Sequence, residues 1–291
     1  RRRQAQRDGA QQHREAARAR ARWRLPRQTG GSWALPATQV RLEGEAAALQ
    51  RARAGMEASL ARLASRSGLD PAAVLDRIEP VSAMEALAGC DWVIEAAPER
   101  PELKLRLLAD AARVVGPAAV LASNTSSIAL TRLAAAVPQP ERVIGMHFMN
   151  PVPVMKLVEV IRASQTSDAV HEATVALARQ LGKEPVSVND SPGFVSNRIL
   201  MPMINEAAFC VHEGVATVEA VDQVMTLGMA HPLGPLKLAD LIGLDTCVAI
   251  MDVLWHDLRD SKYRVCPLLV RHVEAGWLGR KSGRGFYRYD R

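Results

Sequence analysis

No apolar run in this chain approaches the roughly 20 residues that a bilayer-spanning helix needs, so membrane insertion is not expected. Cysteine is scarce: the four at 90, 210, 247 and 266 show no metal-ligand spacing, and the seven histidines form no His-x-x-x-His pair. No metal site is therefore expected, and unpaired thiols suit a reducing, cytoplasmic compartment. No repeat of fixed period occurs, and low complexity is confined to the opening segment. That segment has the sharpest deficit. Residues 1–28 contain no Val, Ile, Met or Phe, residues from which a buried strand is built.

They hold charge of one sign instead. Ten arginines stand against Asp8 and Glu15, a net of +8. Because the whole chain is +6, residues 29–291 carry −2, and the basic character belongs to the opening alone. An Arg-rich arm can serve nucleic acid or an acidic membrane. This one lacks aromatic interleaving beyond Trp23 and any nucleic-acid-binding fold motif, so no such partner is expected. A transit peptide would share the composition, but it would precede a first strand and not replace one.

From residue 40 the patterning is that of an α/β protein. Leu49, Ala52, Met56, Leu60 and Leu63 recur at helical spacing and predict a helix over 45–63. Asp70 and Pro71 start a short helix by cap and fixed φ. Asp91-Trp-Val-Ile-Glu-Ala-Ala predicts a buried strand, followed by a helix over 101–115. Ala118-Ala-Val-Leu-Ala-Ser123 predicts another strand, feeding a helix that Ser126 or Ser127 would cap; such an end presents backbone N–H groups to an anion or a carbonyl oxygen. A helix over 168–181 stops at Gly182. This alternation argues for a parallel sheet with right-handed crossovers.

After Asp190 no strand is expected, and helices follow over 194–213, 218–227, 236–242, 244–258 and 267–275, with Pro202 kinking the first. The expected division is an arm over 1–39, a sheet domain over 40–189 and a helical domain over 190–291. The helix over 244–258 is apolar enough to predict a partner for the helical domain.

One stretch carries chemistry. In His147-Phe-Met-Asn150-Pro-Val-Pro-Val-Met-Lys-Leu-Val-Glu159-Val-Ile161, Pro151 and Pro153 exclude a continuous helix, and the residues after them alternate as a strand does. If the chain doubles back near Pro153, His147 and Glu159 become cross-strand neighbours; one helix would separate them by about 18 Å. A carboxylate among apolar residues needs a partner, and one that holds an imidazole nitrogen leaves the other free to take a proton. The alternative is a satisfied core histidine and a strand-end glutamate.

Further runs join this one: Val93-Ile-Glu-Ala-Ala-Pro-Glu99, Ser123-Asn-Thr-Ser-Ser127, Asp190-Ser-Pro-Gly-Phe-Val-Ser-Asn-Arg198, His231-Pro-Leu-Gly-Pro-Leu-Lys-Leu-Ala-Asp-Leu-Ile-Gly-Leu-Asp245 and Gly279-Arg-Lys-Ser-Gly-Arg-Gly-Phe-Tyr287. In this order, across residues 40–291, the chain resembles the NAD-dependent 3-hydroxyacyl-CoA dehydrogenase family, 3-hydroxybutyryl-CoA dehydrogenases included. The resemblance implies a Rossmann-like doubly wound parallel sheet followed by an all-helical C-terminal domain, and a homodimer formed through that domain. It also implies hydride transfer between C3 of a 3-hydroxyacyl-CoA and NAD.

By the same resemblance, His147 removes the hydroxyl proton, Glu159 orients the ring, and Ser126 and Asn197 bond substrate oxygens. Ser59 stands where the family touches the CoA moiety. Glu43 falls at the ribose-binding acid, which favours NAD over NADP. Glu99 and Lys104 lie beside the ribose and phosphates, Ser126 is shared with the cofactor, Asn150 is near the nicotinamide amide, and Lys281 is a late-chain contact. Each has a plainer reading: Glu99 could cap the helix after Pro101, and exposed lysines are usually solvated. Two alternatives stand beside the dehydrogenase: a non-catalytic dimeric acyl-CoA-binding remnant, and a member of the gulonate dehydrogenase and crystallin branch. The Val-Pro-Val-Met-Lys-Leu-Val-Glu run favours the acyl-CoA branch.

The chain departs from the family at its start. The family opens with a strand and a G-x-G-x-x-G turn, whose glycines let backbone approach the pyrophosphate. Counted back from Glu43, the first glycine should fall near residue 20, where residues 18–25 read Arg-Ala-Arg-Ala-Arg-Trp-Arg-Leu. Residues 1–39 are therefore expected to be an aberrant reading joined to an intact remainder, with cofactor affinity reduced.

Overall fold

A computed structural model describes residues 39–42, 46–68 and 70–289. Residues 1–38 of the expected arm over 1–39, and Glu43, the expected ribose acid, lie outside the described residues. The described strands form two sheets. β1 (Gln39–Leu42) pairs in parallel with β2 (Ile78–Val81). The larger sheet has the order β3 (Trp92–Glu95), β4 (Val120–Ser123), β5 (Val143–Phe148), β6 (Leu157–Arg162), β7 (Glu184–Asn189). The β3–β4, β4–β5 and β6–β7 pairs are parallel, and β5 and β6 are antiparallel, so the sheet is mixed and not wholly parallel.

The antiparallel pair is the return of the chain at the two prolines. Helices cover both faces of the larger sheet, the doubly wound arrangement. On one face Leu121, Val143 and Ile161 pack with Leu108 and Ala111 of α3 (Pro101–Val114) and with Leu130 and Leu133 of α4 (Leu130–Ala134). On the other, Val120, Ala122, Ile144, Met146, Val158 and Val160 pack with Ala178 of α5 (Asp168–Gln180). The alternation of neighbours along β4 and β6 between these two cores is the two-residue period of a strand buried on both sides. Gly145 is required here: a Cβ on it would lie 2.9 Å from the Ile161 Cβ across the ladder.

α1 (Ala46–Ser67) and α2 (Pro71–Leu75) precede β2, and Asp70 caps α2 as its sequence predicts, accepting from the Ala72 N–H. Two expectations fail. β3 is only half-buried, with Ile94 40 % exposed, because β3 stands at the edge of its sheet among the described residues. Neither Ser126 nor Ser127 caps α4, which starts at Leu130; the Asp190 carboxylate, just after β7, caps it, accepting from the Leu130 and Thr131 N–H groups.

The helical domain follows β7. It comprises α6 (Ser196–His212), α7 (Val218–Gln223), α8 (Pro235–Ile242), α9 (Leu244–Leu258) and α10 (Pro267–Glu274). α6 continues through Pro202, and the helix expected to Leu227 changes to a π turn over Val224–Gly228. α9 lies largely in the core through Leu244, Cys247, Met251 and Leu254, and of its large apolar side chains Trp255 is exposed. Further exposed apolar side chains of the helical domain are Val215, Val224, Leu227, Met229 and Leu241. Beside them is a cavity of about 420 Å³ whose walls include Met203, Cys210, Val215, Val221, Val224 and Met225.

Candidate active site

The antiparallel register sets His147 of β5 directly opposite Glu159 of β6. Both side chains are buried, and the His147 Nδ1 lies 2.8 Å from the Glu159 Oε2. Glu159 has three further donors. The Ser196 hydroxyl donates to Oε2 at 2.8 Å, while the backbone N–H groups of Ser196 and Val195 donate to Oε1 at 3.0 and 3.3 Å. Burial pushes this carboxyl up, but the bonds from His147 and Ser196 outweigh it and hold it below the ordinary carboxylate value. An ionised Glu159 fixes the Nδ1 proton, which leaves Nε2 with the lone pair of a base. The Phe194 ring sits 5.8 Å from the imidazole, on a backbone of positive φ that follows Gly193.

Asn197, one residue beyond Ser196, donates its Nδ2–H to the Ser126 carbonyl at 2.9 Å. The Ser126 N–H donates to Glu99 Oε1 at 2.8 Å, as do the Ser127 N–H at 3.0 Å and the Thr125 hydroxyl at 2.5 Å. Glu99 therefore gathers the turn after β4 and does not cap α3, whose cap position is Arg100. Burial raises the Glu99 carboxyl, but the Thr125 bond, the Lys104 charge and the Ser126 and Ser127 bonds bring it below its usual range. Among the described residues the Ser126 backbone is bonded through both its N–H and its carbonyl, and its hydroxyl has no hydrogen-bond partner.

Lys104 is not the solvated lysine that its type predicts. It is 1 % exposed, with Nζ 2.8 Å from Glu95 Oε1, 2.9 Å from the Ala97 carbonyl and 3.4 Å from Glu99 Oε2. Glu95 also accepts from the Ser123 hydroxyl at 2.6 Å. The Asn124 side chain accepts from the Phe148 N–H, tying the ends of β4 and β5 together.

Hydrogen bonds and ion pairs thus join the expected residues His147 and Glu159 as one set, and Asn197, Ser126, Glu99 and Lys104 as another. The two sets meet at the adjacent residues Ser196 and Asn197. No hydrogen bond links Ser59, Asn150 or Lys281 to either set among the described residues. Ser59 lies on α1 beside Arg62, Asn150 is exposed after β5, and Lys281 pairs with Asp245 in the helical domain. Sequence reasoning missed Glu95 and Ser196. Glu95 carries the signal that identified Glu159, a carboxylate within an apolar strand; Ser196 carries none, since its partner is 37 residues away.

Glu95, Ser123, Ser126 and His147 lie at or just beyond the C-terminal ends of β3, β4 and β5, where open α/β sheets bind ligands. The His147 ring with its Nδ1 side held by Glu159, the Ser126 hydroxyl and the Asn197 amide bring a base and polar hydrogen-bonding groups together there, the chemistry that a hydroxyl or carbonyl ligand requires. The segment that would hold a pyrophosphate falls within the residues the structure does not describe.

The family model for the 3-hydroxyacyl-CoA dehydrogenase NAD binding domain matches residues 34–191, and that for the C-terminal domain matches residues 193–289. A probable 3-hydroxybutyryl-CoA dehydrogenase of Bacillus subtilis is 56 % identical over 225 residues, 77 % of this chain and 78 % of the relative. The 3-hydroxybutyryl-CoA dehydrogenase of Bradyrhizobium diazoefficiens is 52 % identical over 83 % of each chain. The crystal structure of an (S)-3-hydroxybutyryl-CoA dehydrogenase from Ralstonia eutropha superposes with a TM-score of 0.83 at 49 % identity, covering 87 % of this chain and 90 % of the other. On the sheet, the dyad and both matched domains, the chain belongs to the NAD-dependent 3-hydroxyacyl-CoA dehydrogenase family.

Proposed function

We propose that the chain interconverts (3S)-3-hydroxybutyryl-CoA and its 3-keto product with NAD, in fatty-acid or butanoate metabolism. The observation that carries this reading is the buried His147–Glu159 pair at 2.8 Å, with Ser126 and Asn197 beside it. NAD, when bound, would supply the acceptor for the hydride leaving C3. His147 Nε2 takes the hydroxyl proton, and Glu159 offsets the imidazolium charge that results. The Ser126 hydroxyl and the Asn197 amide hold the substrate oxygens, where preorganised donors act most strongly as charge develops. Glu99 keeps the turn bearing Ser126 in place, Lys104 supports Glu99 from below, and Glu43, Asn150 and Lys281 complete the cofactor contacts. Ser59 meets the CoA moiety.

The names of the relatives favour the acyl-CoA branch over the gulonate branch. The exposed apolar residues of 215–241 support a homodimer through the helical domain. Four free cysteines suit a cytoplasmic setting.

The test is NADH formation from (S)-3-hydroxybutyryl-CoA by the purified chain and by His147→Gln. The substitution should lower kcat by roughly 10²- to 10⁴-fold, the usual weight of a general base. Acyl-CoA binding with no NADH formation by the unaltered chain would establish the non-catalytic remnant in its place.

A further inference from the structure

The Glu159 carboxylate hangs on a terminal torsion that is intrinsically broad, so one bond to His147 does not fix its rotation. Rotation matters, because turning Oε2 away would release the ring that it orients. Ser196 removes that freedom. Its hydroxyl shares Oε2 with the imidazole, both at 2.8 Å, while its own N–H and that of Val195 take Oε1. α6 has no side-chain cap of its own at Val195, so the carboxylate from β6 also supplies the acceptor that the first amides of the helix need. The next residue, Asn197, reaches Ser126.

We propose that Ser196 is a positioning residue for the reaction, locking the Glu159 carboxylate so that the imidazole of His147 and the amide of Asn197 stand in one fixed relation. This rests on His147 being the proton acceptor, as argued above. Alanine at 196 keeps both backbone bonds to Oε1 and loses only the grip on Oε2. The helix start survives, so the loss is felt at the ring. Threonine restores the hydroxyl.

Two measurements on the full chain decide it. In protein carrying nitrogen-15 histidine, the Nδ1–H resonance of His147 is identified by its loss in His147→Gln. In Ser196→Ala that resonance should shift or broaden more than the resonance of any other histidine, and Ser196→Thr should bring it back. In steady-state oxidation of 3-hydroxybutyryl-CoA, Ser196→Ala should lower kcat roughly tenfold, the loss of one hydrogen bond to a charged group, with KM for the acyl-CoA unchanged. A His147 resonance that stays in place in Ser196→Ala overturns the proposal, and so does a threonine variant that behaves like alanine. If the unaltered chain forms no NADH, the dehydrogenase reading fails alone, because the resonance still reports whether Ser196 holds the pair.

Discussion

The carboxylates of Glu159 and Glu99 give the site a stability that depends on pH. Both are held below the ordinary value of 4.5, Glu159 against its burial by the His147 and Ser196 bonds, and Glu99 against its burial chiefly by Thr125 and Lys104. The sign follows from proton linkage. Between the depressed folded value and 4.5 the unfolded chain binds protons that the folded chain has released, so acid favours unfolding. The contribution is complete above 4.5 and is lost as pH falls through the folded values. Thermal unfolding followed from neutral pH to pH about 3 should show this loss, and Glu159→Gln should unfold at a lower temperature at neutral pH but with a flatter acid limb. A variant with the same acid limb as the unaltered chain would mean that Glu159 is not ionised and bonded as described.

At the scale of elements, buried carboxylates pin the helical domain together. Asp240 of α8, 1 % exposed, accepts from the N–H groups of Phe286 and Tyr287 and from the Tyr289 hydroxyl. Asp222 of α7 accepts from the Leu236 and Lys237 N–H groups and the Tyr287 hydroxyl. Burial and the bond to Asp240 raise the Tyr289 hydroxyl to about 12, so it stays a donor at any ordinary pH. These contacts give the Gly279-Arg-Lys-Ser-Gly-Arg-Gly-Phe-Tyr ending a physical reason: Gly279 and Gly285 leave no room for a Cβ against Asp240. Asp240→Ala would strand the two backbone donors, and chemical denaturation should show a loss of about 3 kcal/mol. A loss below about 1 kcal/mol would mean that the ending is held by its aromatic packing instead.

At the scale of the molecule two surfaces matter. Leu227 is 86 % exposed beside Val224 and Met229, more apolar surface than the helical domain needs for its own core. Leu227→Glu should place a charge in the proposed dimer contact and convert the sedimenting species to a monomer at micromolar concentration; an unchanged dimer would put the contact elsewhere. The second is the cofactor cleft. With no glycine loop in residues 1–39, NAD affinity should be weak, and replacing those residues by a strand, glycine loop and helix should strengthen it by at least tenfold in a fluorescence titration. Equal affinity in the two chains would reject the reading of residues 1–39 as aberrant.

Much of this is legible in the sequence. The pairing of His147 with Glu159 followed from two prolines and a two-residue alternation, because strand geometry turns local pattern directly into cross-strand neighbours. Helix bounds followed where caps and prolines punctuate the chain, as at Asp70 and Gly182. Other features depend on partners distant in sequence. The Asp190 cap on α4 comes from 60 residues away, Ser196 reaches Glu159 across 37, and the burial of Lys104 arises because Glu95 and Glu99 close over it. A hydroxyl, a carboxylate or a lysine has the same local pattern whether solvated or bonded; only the packing of the sheet against the first turn of α6 and the turn after β4 decided which.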